Sequence, residues 1–152
     1  MRITLVAVGR ARPDATTALY RDYTKRLRWP LSLHEIAERR SLPPEMRKQR
    51  EGERLIAAVP TGARVVALDE RGKSLDSPAF AALLKRWQDE GVGDLAFVIG
   101  GAEGLSGALL ARADLTLSFG PMTWPHLLVR VLLAEQLYRA QCILDGHPYH
   151  RG

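Results

Sequence analysis

The sequence predicts an α/β fold, a mostly parallel sheet flanked by helices, on three observations. Short unbroken apolar runs at Ile3 to Val8, Arg64 to Leu68 and Leu95 to Ile99 have the length and composition of strands buried on both faces. Segments with apolar residues at helical spacing separate them, and strands alternating with helices indicate a largely parallel sheet with helices on both faces. Each run also stops at a glycine or polar turn, the place where open α/β sheets usually hold ligands. A chain of 152 residues, 46% hydrophobic and 26% charged, fits one domain spanning 1–152, with no repeat, low-complexity tract or linker.

The elements follow in order. The first run ends at Gly9 and suits a central strand. Asp14 can cap a helix carrying Leu19, Tyr20, Tyr23 and Leu27, which Trp29-Pro30 stops. Leu31 to Ala37 is a weaker strand, interrupted by His34 and Glu35. Pro43-Pro44 opens a charged helix with a thin stripe of Met46, Ile56, Ala57 and Val59. Arg64 to Leu68 is expected to stop at the polar turn Asp69 to Lys73. Ser77-Pro78 supplies a cap and first-turn proline for a helix bearing Phe80, Leu83, Leu84 and Trp87. Leu95 to Ile99 runs into Gly100-Gly101-Ala102-Glu103-Gly104; a helix over Leu105 to Ala111 and a short strand at Leu115 to Ser118 follow. The last helix, Pro125 to about Leu144, is apolar around most of its circumference. Burial inside the monomer or packing of its second face on another subunit would explain that, and a C₂ dimer is favoured.

Composition excludes several classes. The single cysteine, Cys142, forms no internal disulfide and reads as a core or interface residue; no His, Cys or carboxylate spacing resembles a metal site, so none is expected. The start of the chain lacks the pattern of a signal peptide and no apolar run spans a bilayer, so a soluble, cytoplasmic protein is expected, with no membrane partner. The net charge of +5, with Arg39, Arg40, Arg47, Lys48, Arg50 and Arg54 close together, favours an acidic partner, nucleic acid first, although a solvated helix face also accounts for such a cluster.

Three stretches carry candidate chemistry. Gly100-Gly101 and Gly104 would let a ligand approach the backbone, although a tight strand-to-helix connection is the simpler account of that turn alone. It matches neither G-x-G-x-x-G nor the P-loop pattern. Ser118 to Pro125 is irregular yet apolar, which suits a flat amphipathic ligand such as adenosine, though Met122 and Trp124 individually could be plain core. The tail Pro148-Tyr149-His150-Arg151 offers a phosphate clamp, a stacking phenol and a proton carrier, where a terminus usually frays. His126 opens the last helix.

Taken together, Ile-Gly-Gly-Ala-Glu-Gly at 99 to 104, Leu-Ser-Phe-Gly-Pro-Met-Thr-Trp-Pro-His at 117 to 126, Arg-Val-Leu-Leu-Ala-Glu-Gln-Leu-Tyr-Arg-Ala at 130 to 140 and Pro-Tyr-His-Arg at 148 to 151 closely resemble the bacterial 23S rRNA pseudouridine-N3 methyltransferases. Leu-Val-Ala-Val-Gly at 5 to 9 fits too, so the likeness runs from end to end. The resemblance implies the SPOUT fold with a C-terminal trefoil knot, an exception to the rule against knotted chains. It implies S-adenosylmethionine as cofactor, a homodimer paired through the knotted region, and a pseudouridine of 23S rRNA in the assembled 70S ribosome as substrate. By motif, Leu68, Gly100, Phe119, Gly120, Pro121, Met122, Thr123 and Trp124 would contact the cofactor. His126, Tyr149, His150 and Arg151 would be the catalytic or substrate-binding residues. A non-catalytic ribosome-binding or assembly factor of the same fold is the alternative; a nucleotide hydrolase lacks its usual P-loop and metal ligands.

Overall fold

Five strands form the sheet: β1 (Arg2–Val8), β2 (Leu31–Ile36), β3 (Arg64–Ser74), β4 (Asp94–Ile99) and β5 (Leu115–Ser118). In the computed structural model, which describes residues 1–151, they pair in the order β2-β1-β4-β3-β5, every pair parallel. The central strands β1, β4 and β3 are the unbroken apolar runs, because side chains on both of their faces are buried. β2 holds one edge, where His34 and Glu35 can point to solvent, and this explains its mixed sequence.

The helices are α1 (Ala15–Thr24), α2 (Pro44–Ala58), α3 (Ser77–Asp89), α4 (Gly107–Arg112) and α5 (His126–Asp145). Asp14 caps α1 by accepting from the amides of Thr16 and Thr17. For α3 the cap is Asp76, which accepts from the Ala79 amide, not Ser77; the Ser77 hydroxyl instead donates to Gln136 Oε1 on α5, 2.7 Å away. α1, α3 and α5 cover one face over Ile3, Leu5, Val66, Phe97 and Leu117. α2 and α4 cover the other over Val6, Val65, Ala67 and Val98.

β3 differs from expectation. It does not stop at Asp69: Leu68 and Lys73 both register with Leu117, so residues 69–72 form a bulge and pairing resumes to Ser74. The polar character of that stretch marks residues pushed out of the ladder, not the end of the strand. α5 lies between α1 and α3, burying Val131, Leu133, Ala134, Leu137, Ala140 and Cys142, so contacts within the chain already use much of its apolar circumference. Leu128 remains exposed, close in sequence to the exposed Met122 and Trp124.

After β2 the chain is pinned by Glu38, whose side chain is only 1% exposed. Its carboxylate accepts from Arg40 Nε at 3.0 Å and faces Arg54 Nε at 3.7 Å, and the Arg40 hydrogen bond pulls its pKa down to about 2. A depressed carboxylate pKa gives stability that is full above the ordinary glutamate value of about 4.3 and lost as pH falls toward the folded value. The urea midpoint of the parent protein should therefore fall between about pH 4.3 and the folded value near 2, as this carboxylate is protonated. Glu38→Gln should lower the midpoint at pH 7 and remove that part of the acid-side slope; an unchanged slope would show that the carboxylate stabilises nothing.

Candidate active site

The carboxyl ends of β3 and β4 open into a cavity of about 610 Å³, walled on one side by the glycine turn after β4 and on the other by the loop between β5 and α5. This loop has to cross the end of the sheet. β5 lies at one edge, whereas α5 begins beside β1: His126 Nε2 would sit 2.9 Å from a Cβ on Gly9. Gly9 also has φ +98°, so both its backbone and its neighbour require glycine.

Several contacts fix the crossing loop. Ser118 Oγ lies 3.0 Å from the Glu70 carbonyl and accepts from the Gly120 amide at 2.9 Å. Thr123 Oγ1 donates to Glu70 Oε2 at 3.1 Å. The β3 bulge thus anchors the loop and contributes Asp69, Glu70 and Arg71 to the cavity wall. The Arg71 hydrogen bond beside Asp69 holds its carboxyl below the usual carboxylate range. At the far end, Arg130 is 3% exposed; its Nη1 donates to Glu35 Oε2 at 2.6 Å and its Nη2 to the Gly9 carbonyl at 3.0 Å.

The glycine turn serves the protein's own packing first. A Cβ on Gly101 would lie 2.5 Å from Glu51 Oε2, and one on Gly100 would meet the Gly104 carbonyl at 2.9 Å. Glu51 is buried behind the turn, and burial with the neighbouring Glu103 charge raises its pKa. The turn is a tight connection, and its other side faces the cavity.

Of the expected cofactor residues, Leu68, Gly100, Phe119, Gly120, Met122, Thr123 and Trp124 line the cavity, and so does His126; Pro121 sits in the loop but is not part of the lining. Tyr149 and His150 lie elsewhere, folded back along α5. Tyr149 donates to Glu135 Oε1 at 3.0 Å and packs edge-on against Tyr138, and His150 Nδ1 lies 3.1 Å from Arg139 Nη1. Burial and hydrogen bonds to Tyr23 and Glu135 push the Tyr149 pKa up, so its phenol stays protonated. Arg151 is exposed at the end of the described chain. In its own chain, therefore, the tail is not part of the cavity.

Lys48, from α2, and Glu103 also line the cavity. Sequence reasoning did not select Lys48, because only tertiary packing brings α2 to the strand ends. Arg130 was detectable as a charge inside an apolar helix one turn after His126. Apolar Leu68, Ile99 and Leu117, backbone groups of two loops and charges of both signs suit a ligand with a flat ring and a charged end. No group of three metal-ligating side chains occurs among the described residues.

Partial burial lowers the His126 pKa, and the nearby Arg130 and Arg12 charges lower it further. The ring is therefore neutral at pH 7 and able to accept a proton. An NMR titration should place its midpoint below the ordinary value of about 6.5, and Arg12→Ala should raise it. A parent midpoint at or above 6.5 would contradict this environment.

The matching family model, described as predicted SPOUT methyltransferase, covers residues 1–150. A ribosomal RNA large subunit methyltransferase H from Rhodospirillum centenum is 58% identical over 151 residues, covering 99% of both chains. Among solved structures, a probable methylase family protein from Haemophilus influenzae Rd KW20 superposes with a TM-score of 0.58 at 14% identity, over 99% of this chain and 70% of that one. The SpoU methyltransferase AviRb from Streptomyces viridochromogenes, solved with its cofactor AdoMet, gives 0.50 at 15% identity over 92% of this chain and 58% of that one. At these identities the two structures support the fold, while the relative and the family model carry the assignment: the chain belongs to the SPOUT methyltransferase family, with the ribosomal RNA large subunit methyltransferase H proteins.

Proposed function

We propose that this protein methylates N3 of a pseudouridine in 23S rRNA of the assembled 70S ribosome, using S-adenosylmethionine, in the cytoplasm and as a homodimer of single-domain subunits. The observation that carries the reading is the cavity itself, where two of the motif stretches face each other across the ends of β3 and β4. When bound, S-adenosylmethionine supplies an electrophilic methyl group. Leu68, Gly100, Phe119, Gly120, Met122, Thr123 and Trp124 would hold it, with Pro121 stiffening the loop behind. The apolar floor suits the adenine ring, and the Asp69–Arg71 and Lys48 charges suit a zwitterionic end. The crossing loop and the chain after it would form the trefoil-knotted wall.

The remaining chemistry is alignment and proton removal. As N3 of the base gains the methyl, its own proton must leave. Neutral His126, at the mouth beside Gly9, is a suitable acceptor. Tyr149, His150 and Arg151 would act in the cavity of the partner subunit, a reading supported by the position of the tail against its own α1 and α5. The exposed Met122, Trp124 and Leu128 supply apolar surface for the pairing. Arg151 would hold RNA phosphate.

Ribosomes from a strain lacking the gene, given protein and S-adenosylmethionine, should gain one methyl on a 23S rRNA pseudouridine, read by mass spectrometry. Arg151→Ala should cut the rate about a hundredfold while leaving cofactor affinity unchanged. No transfer to competent ribosomes would leave the alternative of a non-catalytic ribosome-binding factor.

A further inference from the structure

A second depression lies at the β2 edge, between the segment leaving β2 and the C-terminal half of α2. It is an open groove of about 710 Å³ whose charged lining is Arg10, Glu35, Glu38, Arg39, Arg40 and Arg54. We propose that this groove docks the sugar-phosphate backbone of the RNA next to the methylated base. The proposal rests on the rRNA reading of the cavity.

The charge balance favours an anionic occupant. Glu35 is already engaged by the buried Arg130. Glu38 is the single buried carboxylate serving both Arg40 and Arg54. Arg10 and Arg39 make no side-chain hydrogen bond or ion pair among the described residues. The groove therefore keeps an excess of positive charge.

The guanidinium groups are also held in place. Arg54 Nη1 donates to the Ala37 carbonyl at 2.6 Å. From below, Arg47 donates to the carbonyls of Glu38 at 2.9 Å and Arg40 at 2.7 Å. The Arg40 and Arg54 side chains nevertheless stay 59% and 52% exposed, so each is anchored on one side and open on the other. Holding like charges close together costs energy, and prior anchoring reduces what ordering them on a ligand would cost. Simple attachment of this segment to α2 would need neither Arg10 nor Arg39.

The chemistry and position of the groove choose phosphate over base. The remainder of its wall is Ile36, Ala37, Ala57 and Ala58, with no aromatic ring on which a base could stack. Guanidinium groups without base-reading surfaces recognise backbone. The groove is continuous with the cavity on two sides: Arg10 follows Gly9, which touches His126, and α2 carries Lys48 at the cavity and Arg54 at the groove. A base extruded from its stack into the cavity leaves its flanking phosphates outside, where this groove begins.

The test is the KM for ribosomes as a function of salt, using the Arg10→Ala, Arg39→Ala double variant. The expected result is a KM about tenfold higher at moderate salt, a log–log salt slope reduced by about 1 for each lost contact, and unchanged affinity for S-adenosylmethionine. A Lys85→Ala, Arg86→Ala pair, on α3 across the sheet, removes the same charge and should change neither KM nor slope. An unchanged KM for the groove variant overturns the proposal, and so does an equal effect from the α3 pair. A raised KM with an unaltered slope also overturns it, since that result points to an acidic protein surface. If the parent protein methylates no ribosomes, the rRNA reading itself fails, and the groove proposal with it.

Discussion

One buried guanidinium holds the active end of this molecule together. Arg130 leaves the first turn of α5, donates to the Gly9 carbonyl after β1 and pairs with Glu35 on β2, and it is almost wholly removed from solvent. Glu35 in turn accepts from the Ala11 amide at 2.5 Å, so the loop that carries Arg10 and Arg12 joins the same network. Breaking such a pair from one side leaves a buried charge uncompensated, at a cost of about 3 kcal/mol or more. The start of α5 is thus tied to the β1–β2 side of the sheet, although the strand that feeds it lies at the opposite edge. The chain has to pass over the strand ends, and the cavity lies beneath that crossing.

The other features of the site follow from the crossing. The β3 bulge gives the loop something to hold, through Ser118 and Thr123 to Glu70. Gly9 permits His126 to sit against the end of β1, where partial burial and two arginines keep its ring neutral. The glycine turn closes against Glu51 on one side and forms the cavity wall on the other. What the crossing does not bring in is the tail, which Glu135 and Arg139 hold along α5. A single chain therefore contains a cofactor-sized cavity without the polar groups of its own terminus.

Much of this was legible beforehand because it depends on local pattern. Unbroken apolar runs identified the three central strands, and Asp14, Pro44 and Gly146 marked helix ends through rules that act within a few residues. The polar residues 69–72 were mistaken for a terminus because a bulge and a turn have similar composition, and only the partner strand reveals resumed pairing. Ser77 lost the cap of α3 to Asp76 for a tertiary reason, its bond to Gln136. The same limit applies at the site. Seven of the eight expected cofactor residues line the cavity because they occupy contiguous loops at strand ends, whereas Lys48 and the placement of the tail depend on distant packing. Strand order and register do not reveal how the chain is threaded, so the knot stays with the family resemblance.

The central claim is that the space under the crossing loop is the cofactor pocket. Amide NMR shifts of the labelled protein on titration with S-adenosylmethionine test it most directly. The account predicts saturable shifts at Leu68, at Gly100 to Gly104 and along Phe119 to His126, with Arg39 and Arg40 unmoved. Shifts concentrated in the β2-edge groove or on the tail, with the glycine turn and crossing loop silent, would contradict it.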